Sequence, residues 1–138
     1  MKIDRRRTLA LLGLGAAAPL VAPTTSVPLV TTLATAGGRR VGYLLLNDHW
    51  RGAQDALVTA FEALRAAAVQ DLVLDLRHNA GGYLYVAQAA ASMAAGPGQD
   101  GQVFEELRYS DKQAAAGVHG VMRFTGRVEV AEHLYPAG

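Results

Sequence analysis

The chain has 138 residues, a formal net charge of +1 and no cysteine. A chain of this length is typical of one domain. The near-neutral charge gives no electrostatic reason to expect a nucleic acid or a membrane surface as partner. The lack of cysteine excludes disulfides, thiolate metal sites and a cysteine nucleophile. The four histidines show no H-x-x-x-H or H-E-x-x-H spacing, so we expect neither a metal nor a cofactor.

Residues 1–22 have the pattern of an export signal. Arg6 and Arg7 stand directly before an apolar run that continues to Ala22. The run is too short to span a bilayer as a helix, so we expect no stable membrane span. Because an arginine pair before such a run is typical of twin-arginine signals, we expect a periplasmic or extracellular protein, cleaved after Ala17. The alternative is a cytoplasmic protein in which the run is an ordinary buried strand.

The next part of the chain predicts a strand, a helix and a second strand. Residues 23–38 are rich in Pro, Thr and Gly and predict a linker that becomes extended near Val27–Leu33. The continuous apolar run Val41–Asp48 predicts a strand covered on both faces. Apolar residues at spacings of three and four predict a helix over about Gly52–Ala68. The run "DLVLDL" from Asp71 predicts a second covered strand, and the connecting helix makes the pair a parallel βαβ unit.

The second half of the chain adds a helix and a strand. Residues 83–95 predict a helix that Gly96 and Pro97 terminate. Alternation over Gln102–Ser110 predicts a third strand. The expected fold class is therefore α/β, with a β-α-β-α-β core of parallel strands in an incomplete sheet. Beyond Lys112 the sequence indicates one strand, Gly126–Ala131, and no further structure.

The segment from Asp75 to Gly82 follows the second strand, at an edge where α/β proteins build their sites. Gly81 and Gly82 precede a helix whose first N–H groups lack intrahelical partners. Such a turn suits a phosphate, a carboxylate or the oxyanion of acyl transfer. A buried Asp75 needs a partner, and Arg77 is the nearest on the same face. Asn79 is compatible with a turn. The alternative is a βα connection without chemistry.

The eight residues from Asp75 to Gly82, DLRHNAGG, closely resemble the D-L-R-x-N-x-G-G signature of the tail-specific, or C-terminal-processing, serine peptidases and their tricorn-like relatives. The resemblance covers about Gly37 to Lys112 in the same order of elements. It implies a partial crotonase-like core and hydrolysis of a polypeptide substrate by a serine that a lysine activates. It also implies that the N–H groups of Gly81 and Gly82 form the oxyanion side of the active site, supported by Asp75, Arg77 and Asn79.

The nucleophile segment of that family, a run of small and hydroxylated residues ending in Ser-Ala-Ser-Glu or similar, has no counterpart in this sequence. The serines and lysines are Ser26, Ser92, Ser110, Lys2 and Lys112. Ser110 and Lys112 are close in sequence, but the resemblance assigns them to a structural turn. His49, beside Trp50, is interpreted as a packed or capping residue rather than a base.

These observations give four segments. Residues 1–22 are the expected signal, 23–38 a linker, 39–112 the N-terminal part of a serine peptidase catalytic domain, and 113–138 an unassigned tail. We expect a fragment of a secreted endopeptidase that lacks the catalytic Ser and Lys and is inactive alone. The alternative is a non-catalytic domain that binds a peptide or a carboxylate. The fragment is favoured because a sheet cut short leaves unpaired strand edges, which promote aggregation.

Overall fold

The computed structural model describes residues 18–108, 110, 120–130 and 133–136. The elements in chain order are β1 (Leu29–Ala34), β2 (Arg40–Leu45), α1 (Ala53–Ala66), β3 (Asp71–Asp75), α2 (Leu84–Ala95), a 3-10 turn (Pro97–Gln99), β4 (Val103–Leu107), β5 (Gly120–Arg123), β6 (Arg127–Val130) and β7 (His133–Pro136). Both helices and the first two predicted strands lie where the sequence places them.

The main sheet has the strand order β1-β2-β3. β2 and β3 run parallel, with Leu45 opposite Asp75, which confirms the predicted β2-α1-β3 unit. β1 runs antiparallel to β2, so the predicted linker contains a full strand of the sheet. A tight turn causes this pairing, because Thr35 N–H donates to the Arg39 carbonyl at 2.9 Å and Gly38 adopts a φ of 78°.

Both helices pack on one face of this sheet and form a single core. Its largest fully buried side chains include Leu44 and Leu46 near the end of β2 and Leu57 of α1. Leu72 and Leu74 of β3 pack against the same core. Val73, between them, points to the other face and is 46% exposed. The prediction that both faces are covered is therefore wrong for the residues that the structure describes.

The third predicted strand does not join the main sheet. β4 pairs antiparallel with β5 in a separate two-stranded sheet. Gly101 N–H donates to the Phe124 carbonyl at 3.0 Å, and Phe124 N–H donates to the Gln102 carbonyl at 2.9 Å, which fixes the two strands side by side. The predicted order of elements is correct, but the parallel pairing is limited to β2 and β3.

The C-terminal part contains more structure than the sequence indicated. β6, which pairs antiparallel with β7, confirms the strand predicted at Gly126–Ala131. β5 and β7 were not predicted, because their short segments carry no clear alternation. Lys112 lies outside the described residues.

Most of the expected export signal, residues 1–17, also lies outside the described part of the chain. The residues that follow it contact β1. Thr31 Oγ1 donates to the Ala18 carbonyl at 3.0 Å, and Leu20 N–H donates to the Val30 carbonyl at 2.7 Å. Within the described ranges, neither helix has the length and apolarity needed to cross a membrane.

Candidate active site

The turn after β3, residues 76–82, is held against the segment that follows β2. Ala80 N–H donates to the Asn47 carbonyl at 3.0 Å, His49 N–H donates to the Gly81 carbonyl at 2.8 Å, and Tyr83 N–H donates to the His49 carbonyl at 2.8 Å. His49 and Gly82 form a parallel bridge. The turn, called the glycine turn below, is thus a fixed continuation of the parallel pairing rather than a free loop.

Gly82 is the residue at which the two segments approach most closely. A Cβ atom built on it would lie 2.5 Å from both the carbonyl carbon and the carbonyl oxygen of His49, and its φ is 144°. Glycine is therefore required here by the close approach of another backbone segment. Because the Gly81 carbonyl and the Tyr83 N–H both point toward His49, the Gly82 N–H between them points away. None of the hydrogen bonds among the described residues uses it.

Gly81 has a different environment from Gly82. Its N–H donates to Asn79 Oδ1 at 2.8 Å, and its φ is 89°, with open space where a Cβ would stand. The sequence assigned both glycine N–H groups to an oxyanion. In this structure the Gly81 N–H is occupied by Asn79, while the Gly82 N–H is available to a ligand.

Asn79 connects the glycine turn to the end of β2. Its Nδ2 donates to the Leu46 carbonyl at 3.1 Å and lies 3.3 Å from Nε2 of His49. Together with the bond from Gly81, the carboxamide thus has a neighbour for its oxygen and for both amide hydrogens. The structure therefore places Asn79 against Gly81 and adds His49 to the group.

Asp75 and Arg77 form the ion pair that the sequence predicted. The Asp75 side chain is 6% exposed, and Arg77 Nη2 lies 2.6 Å from its Oδ2. The Arg77 backbone N–H donates to Oδ1 at 3.0 Å, and the Tyr43 hydroxyl donates to Oδ2 at 2.6 Å. Hydrogen bonds from Arg77, and secondarily from Tyr43, hold the pKa of Asp75 well below its usual range. The hydrogen bond between the Tyr43 hydroxyl and Asp75 raises the pKa of Tyr43.

Three aromatic side chains lie beside the glycine turn. Trp50 and Tyr83 meet edge to face with ring centroids 5.9 Å apart, and Tyr83 and Tyr85 have centroids 5.4 Å apart. All three are exposed, Trp50 by 60%. The two tyrosines pack on each other but keep much of their surface open to solvent.

Two of the three described serines make hydrogen bonds within the fold. Ser26 Oγ donates to Asp48 Oδ1 at 2.6 Å. Ser92 is buried within α2, and its Oγ accepts a hydrogen bond from Thr125 N–H at 3.1 Å. Ser110 is exposed after β4. Within the described residues no group of three or more acidic or histidine side chains is placed to hold a metal ion.

A cavity of about 680 Å³ lies at the other end of the main sheet. Its lining comes from the C-terminal halves of α1 and α2 and the start of β3, including Phe61, Leu72 and Met93. Because β3 begins there and the glycine turn follows its other end, this cavity has no part in the site around Gly82.

The arrangement can stabilise a negatively charged oxygen. The Gly82 N–H sits at the carboxyl end of a parallel strand and just before α2, where the N-terminal helix dipole favours negative charge. The ion pair, Asn79 and the backbone bonds fix the direction of this donor. Tyr43 and His49 were not predicted as members of the site. Tyr43 lies in β2 and His49 follows it. Their positions could have indicated them, because the carboxyl ends of neighbouring parallel strands meet at one edge of a sheet.

Comparison with known proteins assigns the chain. The family model described as peptidase family S41 matches residues 40–130. A crystal structure of a Bacteroides fragilis protein assigned as an S41 protease superposes with a TM-score of 0.64 at 31% sequence identity. The match covers 72% of this chain and 27% of that chain, so this chain spans about a quarter of the length of that relative. No curated protein matches the sequence. Because the family model covers more than half of the residues, the chain belongs to peptidase family S41.

Proposed function

We propose that this chain supplies the oxyanion side of a serine-type endopeptidase site of the tail-specific kind, on a crotonase-like core. The observation that carries the proposal is the Gly82 N–H at the end of the family signature, which points away from His49 and is taken by no acceptor among the described residues. A polypeptide is the substrate. Its scissile carbonyl oxygen becomes negatively charged in the tetrahedral intermediate and accepts a hydrogen bond from Gly82.

The catalytic Ser and its Lys come from polypeptide outside these 138 residues, so the chain is inactive alone. Two features support this part of the proposal. Ser26 and Ser92 are committed to Asp48 and Thr125. The face and the end of β3 that remain open carry apolar side chains, with Val73 and Leu76 each 46% exposed, as expected where further structure packs.

A peptidase assay tests the inactivity of the isolated chain. The purified chain is incubated with an unstructured polypeptide such as casein, and new amino termini are measured. We expect no turnover above the level of a Ser110→Ala variant. Turnover that Ser110→Ala abolishes would show that the nucleophile lies within this chain and would overturn this part of the proposal.

A segment exchange tests the role of Gly82. Residues 40–130 replace the matching segment of an S41 peptidase of measured activity. In the active hybrid we expect Gly82→Ala, whose Cβ would collide with the His49 backbone and displace the Gly82 N–H, to lower kcat by about 10²- to 10³-fold, the usual cost of losing one oxyanion donor. The control is Gly52→Ala, at a glycine before α1 whose Cβ would meet open space. Full activity of the Gly82→Ala hybrid would exclude the oxyanion role and favour a non-catalytic peptide or carboxylate site.

We also propose that the chain is exported and cleaved after Ala17. The support is the sequence pattern, in which Arg6 and Arg7 stand before an apolar run that continues to Ala22. N-terminal sequencing of the protein from a culture fractionated into cytoplasm, periplasm and medium checks this, and an intact Met1 in the cytoplasm would contradict it.

A further inference from the structure

Two backbone groups fix the orientation of the Asn79 carboxamide. Its Oδ1 accepts from the Gly81 N–H at 2.8 Å, and its Nδ2 donates to the Leu46 carbonyl at 3.1 Å. The reversed carboxamide would place amide hydrogens against the Gly81 N–H and oxygen against the Leu46 oxygen. Since a backbone N–H only donates and a carbonyl only accepts, one orientation remains.

This orientation decides the protonation of His49. Nε2 of His49 lies 3.3 Å from Asn79 Nδ2, which presents only hydrogens. A hydrogen bond between them therefore needs a lone pair on Nε2, which means a neutral ring with its proton on Nδ1. A protonated ring would direct an N–H at the amide hydrogens, and the contact would become repulsive.

We propose that neutral His49 is a positioning residue: it holds Asn79, and through Asn79 the Gly81–Gly82 peptide, and it releases the glycine turn when it is protonated. The residue is half-buried, and both its backbone N–H and its carbonyl already bond the turn. The side chain and the backbone of His49 thus both hold the glycine turn. The expected effect on catalysis rests on the proposed oxyanion role of Gly82. The hydrogen bonds among His49, Asn79 and Gly81 do not depend on that role.

The segments next to His49 carry several charged or titratable groups. Asp48 precedes it in the chain, and Asp48 Oδ1 already accepts from Ser26 and from the Trp50 N–H. The glycine turn contributes Arg77, whose guanidinium binds Asp75, and His78, which is exposed. The start of α2 contributes Tyr83.

Burial lowers the pKa of His49, and the charge of Asp48 opposes that shift. A histidine whose pKa is lower in the folded state than in the unfolded state binds its proton more weakly when folded. Its contribution to stability is therefore complete above the unfolded value of about 6.5 and is lost as the pH falls toward the folded pKa. The glycine turn is expected to loosen over the same range.

NMR of the ¹⁵N-labelled full chain tests the arrangement directly. At pH 7.5, a long-range ¹H–¹⁵N correlation should show His49 protonated at Nδ1 and unprotonated at Nε2. Between pH 8 and 4.5, the Gly81 amide and the Asn79 side-chain amide should follow one titration curve with the His49 ring. A His49 protonated at Nε2 at pH 7.5, or a Gly81 amide that does not shift while His49 titrates, would overturn the proposal.

Variants separate positioning from general stability. His49→Gln can offer an oxygen acceptor that does not titrate, so Gly81 should keep its shift and lose its pH dependence. His49→Leu offers no acceptor, so the Gly81 amide should exchange with solvent about 2- to 10-fold faster, as for one lost hydrogen bond. The control is His78→Gln, an exposed histidine of the same turn, which should leave both observables unchanged. Wild-type exchange in His49→Leu would contradict the proposal, and the tautomer measurement stands if that variant does not fold.

These measurements need no substrate and remain decisive if Gly82 has no oxyanion role. In the active hybrid with residues 40–130, we expect kcat to fall on acidification through the His49 pKa, and we expect His49→Gln to remove that fall while KM stays unchanged. If the Gly81 amide titrates with His49 but kcat does not depend on pH, the proposed oxyanion role of the turn is refuted. The role of His49 in holding the glycine turn then stands. If the Gly81 amide does not shift while His49 titrates, the role of His49 in holding the glycine turn is refuted, whatever the activity.

Discussion

Replacing Gly82 by alanine is the sharpest test of how the glycine turn is built. The new Cβ would lie 2.5 Å from the His49 carbonyl carbon and oxygen and 2.9 Å from its Cα. Carbon atoms in contact normally lie about 3.5 to 4.0 Å apart, so the two backbones must separate by about 1 Å. The atoms in the way are backbone, so no side chain can rotate to make room.

The expected loss follows from the contacts that this separation breaks. The separation breaks two hydrogen bonds of 2.8 Å, from His49 N–H to the Gly81 carbonyl and from Tyr83 N–H to the His49 carbonyl. Two backbone hydrogen bonds contribute about 2 kcal/mol together. Holding a residue other than glycine at a φ of 144° costs about 1 to 3 kcal/mol more. We therefore expect the free energy of unfolding to fall by about 3 to 5 kcal/mol.

Gly81→Ala is the matched control, because a Cβ at Gly81 meets open space and only the φ of 89° is unfavourable. It should cost about 1 to 3 kcal/mol. Urea unfolding followed by circular dichroism measures both variants, with unchanged m-values as the check on two-state behaviour. Equal losses for the two variants would show that the close approach of Gly82 and His49 does not determine the stability of the turn.

Three further changes test the supports of the site. Asp75→Asn should flatten the fall in stability that the wild type shows as the pH drops below about 4, because the lowered pKa of Asp75 stabilises the fold above the unfolded pKa and is lost below it. Tyr43→Phe should remove a tyrosine that titrates above the usual tyrosine range in an ultraviolet absorbance titration, because the hydrogen bond to Asp75 raises the pKa of Tyr43. Leu57→Ala should cost about 2 to 5 kcal/mol in urea unfolding, whereas Leu84→Ala, at a side chain 42% exposed, should cost less than about 1 kcal/mol.

The helices and the parallel pair were predictable because periodicity and turn residues agree there. The sequence pattern did not predict strand β1, because its Thr and Pro residues suggested a linker. This segment is a strand because it pairs antiparallel with β2 across the Thr35–Arg39 turn. The sequence pattern also failed at β4, since alternation identifies a strand without naming its partner. The exposure of Val73 was not predictable from the sequence. A strand has the same apolar pattern whether or not the layer that covers its second face is present.

The candidate site was predictable where one short segment contains the interaction. Asp75 and Arg77 are two residues apart on one face, and their ion pair is present. The contacts of Asn79 with Leu46 and His49 join residues about 30 positions apart, so no local pattern shows them. The different environments of Gly81 and Gly82 depend on the same distant segment. A sequence motif of adjacent glycines therefore cannot say which N–H is free.

The described hydrogen bonds that support the glycine turn lie within residues 43–83. Asp75 is buried and fully hydrogen-bonded by Tyr43 and Arg77, and Asn79 has its contacts without any contribution from β4 to β7. A donor held in this way needs no reorganisation when a charged oxygen forms, which is the condition under which such donors lower barriers most. The direction of the Gly82 N–H is thus a property of the first βαβ unit, and adding a nucleophile should complete the site without rebuilding the turn.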